Sequence, residues 1–187
     1  TKTQAEAINS YTTGQVTLNS IADTLNNLSS INSLPDSKVM MQMASLTVTD
    51  TATLANANTV NEFTTNQVTL TSISDTFANI TSIDAINTSE VTMADATVNV
   101  TDQVTKTQAE AINSYTTGQV TLNSISDTSA NLATLDAIDN AEVTIGTAEV
   151  NVLDTVTLAN ANTINAYTTG QVTLTSISDT FANITSI

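Results

Sequence analysis

Apolar residues along the chain follow two spacings. In Val68-Thr69-Leu70-Thr71, Val91-Thr92-Met93 and Val98-Asn99-Val100-Thr101 they alternate with Thr or Asn, the period-2 signal of short strands with one buried face. Between these stretches, Leu54, Ala57, Val60 and Phe63 recur at intervals of three, as do Phe77, Ile80, Ile83 and Ile86. Such a spacing stays on one side of a helix for only two or three turns, so it predicts short helices. Each repeat reads as strand, short helix, kinked strand, short helix. That rhythm implies parallel strands joined by right-handed crossovers.

The pattern recurs with a fixed period. Gln-Val-Thr-Leu begins at Gln15, Gln67, Gln119 and Gln171, and Asp23, Asp75, Asp127 and Asp179 keep the same 52-residue spacing, as do Asp50, Asp102 and Asp154. Residues 1–21 return unchanged at 105–125, an offset of 104. In such an array each unit buries its apolar face only against its neighbours. The expected fold is an α/β repeat solenoid of short parallel strands and short helices, with two coils of roughly 26 residues per repeat. An all-β solenoid is the alternative. Residues 1–187 read as one solenoid segment of about 3.6 repeats with both boundaries inside repeats, expected to belong to a longer array or filament. In either fold Val16 and Leu18, Val68 and Leu70, Val120 and Leu122, and Val172 and Leu174 face inward as aliphatic ladders. Each such side chain, fully buried, contributes roughly 1.5–3 kcal/mol.

Helix punctuation is readable too. Thr3-Gln4-Ala5-Glu6 and Thr107-Gln108-Ala109-Glu110 fit a capping box, in which hydroxyl and carboxylate satisfy the first backbone donors. After Tyr11, Phe63, Tyr115 and Tyr167 comes Thr-Thr and then Gly14, Asn66, Gly118 and Gly170. Gly and Asn most readily take the left-handed conformation, so a helix stop at positive φ is expected there.

Composition narrows the chemistry. The chain has no Cys, His, Trp or Arg, and 3 Lys stand against 18 Asp plus Glu, a net charge of -15. Zinc, haem, iron-sulfur and blue-copper centres lack ligands, and nucleophile–imidazole pairs lack a base. Phosphate backbones are repelled, which excludes nucleic acid as a partner. No run approaches the roughly 20 apolar residues of a membrane span. The opening Thr1-Lys2-Thr3 has neither an initiator Met nor a signal peptide and reads as a processed piece. Paired carboxylates remain as general acid and base, as in carbohydrate-acting enzymes. A catalytic coil would break the repetition, however, so the chain is read as no enzyme and as needing no cofactor. The densest acidic group, Asp136, Asp139, Glu142 and Glu149, reads as a solvated loop.

The recurrent aspartates are the leading candidate site. Asp23, Asp50, Asp75, Asp102, Asp127, Asp154 and Asp179 follow strands and precede helical stretches, which suits helix N-caps. Equivalent carboxylates in adjacent coils, roughly 5 Å apart, would alternatively recruit Ca²⁺ through its preference for oxygen ligands. Outward strand positions carry Thr17 and Asn19, Thr47 and Thr49, Thr69 and Thr71, Asn99 and Thr101, Thr121 and Asn123, and Thr173 and Thr175. That array reads as a solvated ladder or as an ice-binding face interrupted by Asn and Leu153. Asn27, Asn79, Asn87, Asn99 and Asn183 open glycosylation patterns. Tyr11, Tyr115 and Tyr167 replace Phe63 and read as helix-end packing, and Met40, Met41 and Met43 as gap fillers.

The phrase Val-Thr-Leu-Thr-Ser-Ile-Ser-Asp-Thr-Phe-Ala-Asn-Ile at 68–80, echoed by Asp-Thr-Ser-Ala-Asn-Leu-Ala from Asp127, resembles the Thr/Asn/Ala-rich repeats of very large bacterial surface proteins, including cyanobacterial and adhesin-like arrays. The resemblance covers nearly the whole chain. It implies an extracellular or cell-surface location and a role in filaments, sheaths, surface layers or adhesion, often with calcium, although the glycine-rich nonapeptide of calcium-binding toxin repeats is absent. The expected function is structural: coils stack into a filament, sheath or surface layer, and the partner is the protein itself. A calcium-dependent adhesin that binds surface glycans is the alternative.

Overall fold

In a computed structural model the described residues are 1–35, 38–86, 89–135, 138 and 143–185. The chain forms two compact units, Thr1–Thr97 and Val98–Ile187. In the first, helices α1 (Lys2–Ser10), α2 (Leu25–Asn32), α3 (Leu54–Asn61) and α4 (Phe77–Asp84) alternate with strands β1 (Val16–Thr17), β2 (Ser20–Asp23), β3 (Val39–Met40), β4 (Ser45–Ala52), β5 (Val68–Asp75) and β6 (Val91–Thr92). The second runs β7 (Thr97–Val104), α5 (Lys106–Tyr115), β8 (Val120–Asp127), α6 (Ser129–Leu132), β9 (Val143–Thr144), β10 (Glu149–Val156), α7 (Leu158–Asn165), β11 (Val172–Ile177) and α8 (Phe181–Ile184). The chain is thus α/β, as its two spacings predict, and these helices set the all-β alternative aside.

Among the described residues the strand pairs within each unit are parallel. β2, β4 and β5 lie side by side in chain order, and so do β7, β8, β10 and β11. In-register apolar rows result: Ile21, Leu46 and Val68 step across neighbouring strands of the first unit, and Val98, Val120 and Val143 across the second. Helices α1 to α4 pack in sequence along their unit. Their buried residues, Leu28 and Ile31, Ala57 and Val60, Ile80 and Ile83, are spaced by three, as the sequence requires. Together with Leu46, Val48, Ala52, Val68, Leu70 and Ile73 they form the core.

The kinked strand of each repeat is a bulged one. β4 pairs Val48 with Leu70 and then Thr51 with Ser72, leaving one residue more on β4 than on β5. β7 does the same against β8, and β10 against β11. The bulges contain Asp50, Asp102 and Asp154, and a bulge re-aims side chains. Thr71 fills the first bulge by donating its hydroxyl to the Val48 carbonyl at 2.8 Å.

Two expectations of helix punctuation are corrected. The capping boxes begin at Thr1 and Thr105, with Gln4 and Gln108 at the third helical position. Thr3 and Thr107 lie inside the helices, and Glu6 and Glu110 instead pair with Lys2 and Lys106 one turn away. A Thr followed three residues later by Gln satisfies the same donors, so the box simply starts earlier. The left-handed stop at Gly14, Asn66, Gly118 and Gly170 does not occur, because no described residue has positive φ. Helices end in right-handed or extended residues such as Tyr11, Glu62 and Thr116, and the Thr-Thr-Gly phrase has another purpose. Thr64 and Thr168 are buried, accept the N–H two residues on, and donate to the carbonyls of Ala44 and Ala148 at 2.6 and 2.7 Å. Small size is what Gly170 contributes. A Cβ there would strike the carbonyl oxygen of Ala148 and come within 2.6 Å of that of Thr147.

Candidate functional site

Among the described residues each α-helix is opened by a Thr whose hydroxyl accepts the N–H of an Asn or Gln three residues later: Thr1, Thr24, Thr53, Thr76, Thr105, Thr128, Thr157 and Thr180. The N-cap is therefore Thr, not the Asp expected from sequence. The aspartates have a longer reach. Asp75 accepts the N–H of Leu54, the first residue of the preceding helix, at 2.9 Å, its own Thr76 N–H at 2.8 Å and the Asn79 amide at 2.7 Å. Asp23 binds Lys2, Thr24 and Asn27 in the same way, Asp127 binds Lys106, Thr128 and Asn131, and Asp179 binds Leu158, Thr180 and Asn183. From the bulges, Asp50 reaches the Leu25 N–H at 2.9 Å, and Asp154 the N–H and hydroxyl of Ser129 at 2.6 and 2.9 Å. Asp102 occupies the corresponding place in the bulge of β7. Each of these carboxylates with a described contact staples its strand, at the end or at the bulge, to the first turn of the helix before it, where partial positive charge accumulates.

Their titration reflects this. At Asp23, Asp75 and Asp127 burial opposes ionisation, but the N–H and amide donors together outweigh it and hold the carboxyl below its ordinary range. At Asp154 and Asp179 the backbone N–H groups of Ser129 and Leu158 dominate in the same direction. The like charge of Asp127 works against Asp154. Asp84, at the end of α4, is pushed up by burial.

The oxygens of these aspartates thus face N–H donors, and among the described residues no three acidic side chains converge where a cation would sit. Of the dense acidic group, Asp136, Asp139 and Glu142 lie outside the described residues, and Glu149 begins β10. Outward Thr and Asn residues form cross-strand rows, Thr47 beside Thr69 beside Thr92 and Asn99 beside Thr121 beside Thr144. Thr71 and Thr175 turn their hydroxyls back to the bulge carbonyls of Val48 and Val152, and Leu153 is exposed. The amides of Asn27, Asn79 and Asn183 are held by aspartates at 2.7 Å, Asn99 lies on β7, and Asn87 falls outside the described residues. Tyr167 packs as expected, donating its hydroxyl to the Ala133 carbonyl, whereas Tyr11, expected to pack in the same way, is 87 % exposed. Met41 is buried, whereas Met43 is exposed.

Two strand edges are open among the described residues. Among the described residues β11 pairs with β10 alone, and β1 and β2 pair only with β3 and β4. Each edge bears a groove. Ala5, Ile8, Leu18 and Ile21 line one of about 460 Å³, and Leu158, Ala161, Val172, Leu174 and Ile177 line the other, of about 260 Å³. The aliphatic ladder expected from sequence is fully buried at Val68, Leu70, Val120 and Leu122, but Leu18, Val172 and Leu174 are only half-buried. Exposed Ile8, Tyr11, Phe181 and Ile184 adjoin these edges in sequence. Signal for the edges lay in the identity of repeated phrases, since each names the residues that its interior copy buries. No helix among the described residues is long and apolar enough to cross a membrane. Comparison with protein families, curated proteins and solved structures finds no match to this chain.

Proposed function

We propose that the chain is a non-catalytic structural repeat protein, a solenoid whose coils extend by parallel strand stacking into a filament, sheath or layer outside the cell or at its surface. Its principal partner is another copy of itself. The observation that carries this reading is one parallel register repeated along the chain, in which Val16 pairs with Val39, Val68 with Val91 and Val120 with Val143. A row of unpaired strand N–H and C=O groups beside an apolar groove favours addition of another strand. The uniform Thr caps and aspartate staples support a scaffold in which every coil is tied to the one before it by the same bonds. The proposed surface location rests on the resemblance of the Asp-Thr-x-Ala-Asn phrases.

Sedimentation velocity over a wide concentration range tests this. Concentration-dependent oligomers or rods are expected, growing as salt screens the charge of -15. A strictly monomeric species at high concentration and moderate salt overturns the proposal.

A further inference from the structure

We infer that Met43 is a modification site for hydroperoxides: its thioether takes up one oxygen atom and becomes a sulfoxide while the fold around it stays intact. The site is independent of the stacking role proposed above.

Composition leaves the thioethers as the targets. The chain has 4 Met and no Cys, Trp or His, so no thiolate competes for the oxidant. Those four, Met40, Met41, Met43 and Met93, all belong to the first unit, and none occurs in Val98–Ile187. Burial then divides them. Met41 and Met93 stand one repeat apart and are 3 % and 4 % exposed, whereas Met43 is 65 % exposed. Met40, on β3, is half-buried. The openness of Met43 belongs to its place in the repeat and not to an end of the chain, since Asp95 and Thr147, one and two repeats later, are exposed as well.

The backbone around Met43 is held without help from its sulfur. The Ala44 N–H closes the turn on the Met41 carbonyl at 2.9 Å. From the loop after α3 the Thr65 N–H and hydroxyl donate to the Gln42 carbonyl at 2.8 and 3.1 Å, the Thr64 hydroxyl to that of Ala44 at 2.6 Å, and the Asn66 amide to that of Met43. Each of these bonds ends on a main-chain oxygen, so converting the thioether to a sulfoxide breaks none of them. Asp95 and Thr147 show that the place suits a polar side chain. Met41 and Met93 differ. Their sulfoxides would carry a polar oxygen into the apolar core, and their sulfur is reached only when the unit opens.

The step balances with hydrogen peroxide alone. A sulfur lone pair forms the S–O bond as the O–O bond breaks, sulfur is oxidised by two electrons, and the departing oxygen takes the proton of the transferred hydroxyl and leaves as water.

To test this, the full chain is treated with dilute hydrogen peroxide at neutral pH, and oxygen uptake at each Met is followed by peptide mass spectrometry. Met43 should be oxidised at least about tenfold faster than Met41 or Met93, with Met40 between them. Chain oxidised at Met43 alone should keep its melting temperature. In urea the rates should converge, because the fold no longer shields the buried pair. Met43→Leu should remove the fast step and leave the slow ones. Equal rates at Met43 and Met41 in the folded chain, a fast step that survives Met43→Leu, a rate difference that persists in urea, or a melting temperature that falls with the first oxidation overturns the inference.

Discussion

Residues 1–21 and 105–125 are one sequence in two places. Both copies begin with a Thr-capped helix closed by the same Gln box, and both carry the Lys–Glu pair one turn apart. From there they part. In the later copy Val120–Asp127 is one continuous strand between β7 on one side and β9 and β10 on the other, and Leu122 and Ile125 are at most 1 % exposed. In the earlier copy the strand is interrupted between β1 and β2 and paired on one side among the described residues, and Leu18 is half-buried. Ile8 is 52 % exposed where Ile112 is fully buried. Helix caps are thus written into a few adjacent residues, whereas burial and strand continuity are supplied by neighbours.

Truncating the ladder should break this comparison most visibly. Leu122→Ala removes a fully buried side chain and should cost about 2–5 kcal/mol, whereas Leu18→Ala should cost less than half as much because its site is already open to water. Urea denaturation of both variants checks it, and equal losses would mean that the first copy is as well covered as the second.

The Gly positions offer a second contrast. Gly170→Ala places a methyl against the carbonyls of Ala148 and Thr147, and should cost about 1–3 kcal/mol, as overpacking does. Gly14→Ala meets only the Thr12 hydroxyl at 3.4 Å, and should leave the melting temperature nearly unchanged. Strong damage at Gly14 would point to a backbone requirement in place of a spatial one.

Acid should weaken the staples. The folded-state pKa values of Asp23, Asp75, Asp127, Asp154 and Asp179 lie below the ordinary carboxylate value. Their contribution is therefore complete above about pH 4 and is lost as pH falls further, through the lowered values. Thermal melts between pH 7 and 2 should show a decline that begins near pH 4 and is shallower in Asp75→Asn and Asp127→Asn. At neutral pH, millimolar Ca²⁺ and Mg²⁺ at matched ionic strength should raise the melting temperature equally, because screening acts on both alike. A Ca²⁺-selective rise that the two Asn variants abolish would instead assign these carboxylates to a metal.

The smallest effect is expected at Asp84, the last residue of α4. A negative charge at a helix C-terminus opposes the dipole, so Asp84→Asn should stabilise by about 0.3–1 kcal/mol at neutral pH. Since burial raises this carboxyl in the folded state, the gain should vanish below about pH 4, where both forms are neutral. A gain that persists in acid would have another source.

Much was legible in the sequence because its causes are local or periodic. Alternation at Val68-Thr69-Leu70 located β5, three-residue spacing at Ile80 and Ile83 located α4, and the fixed period announced that the same strand and helix would recur in register. The role of the aspartates was only half visible. A carboxylate near a helix start was evident from Asp75 and Thr76, but its bond to Leu54, 21 residues earlier, exists only once strands lie side by side. Positive φ at the Gly positions was the wrong inference because Gly serves two needs, conformational freedom and small size. Which need applies at Gly170 is decided by a carbonyl more than 20 residues away in sequence. Composition, period and the strand and helix positions were therefore legible in the sequence alone, whereas the Thr N-caps were not, Asp having been expected in their place. Bulge partners, staple partners and the division of one repeated phrase into buried and open copies were decided by tertiary structure, because each depends on which backbone lies alongside, a relation that no window of neighbouring residues contains.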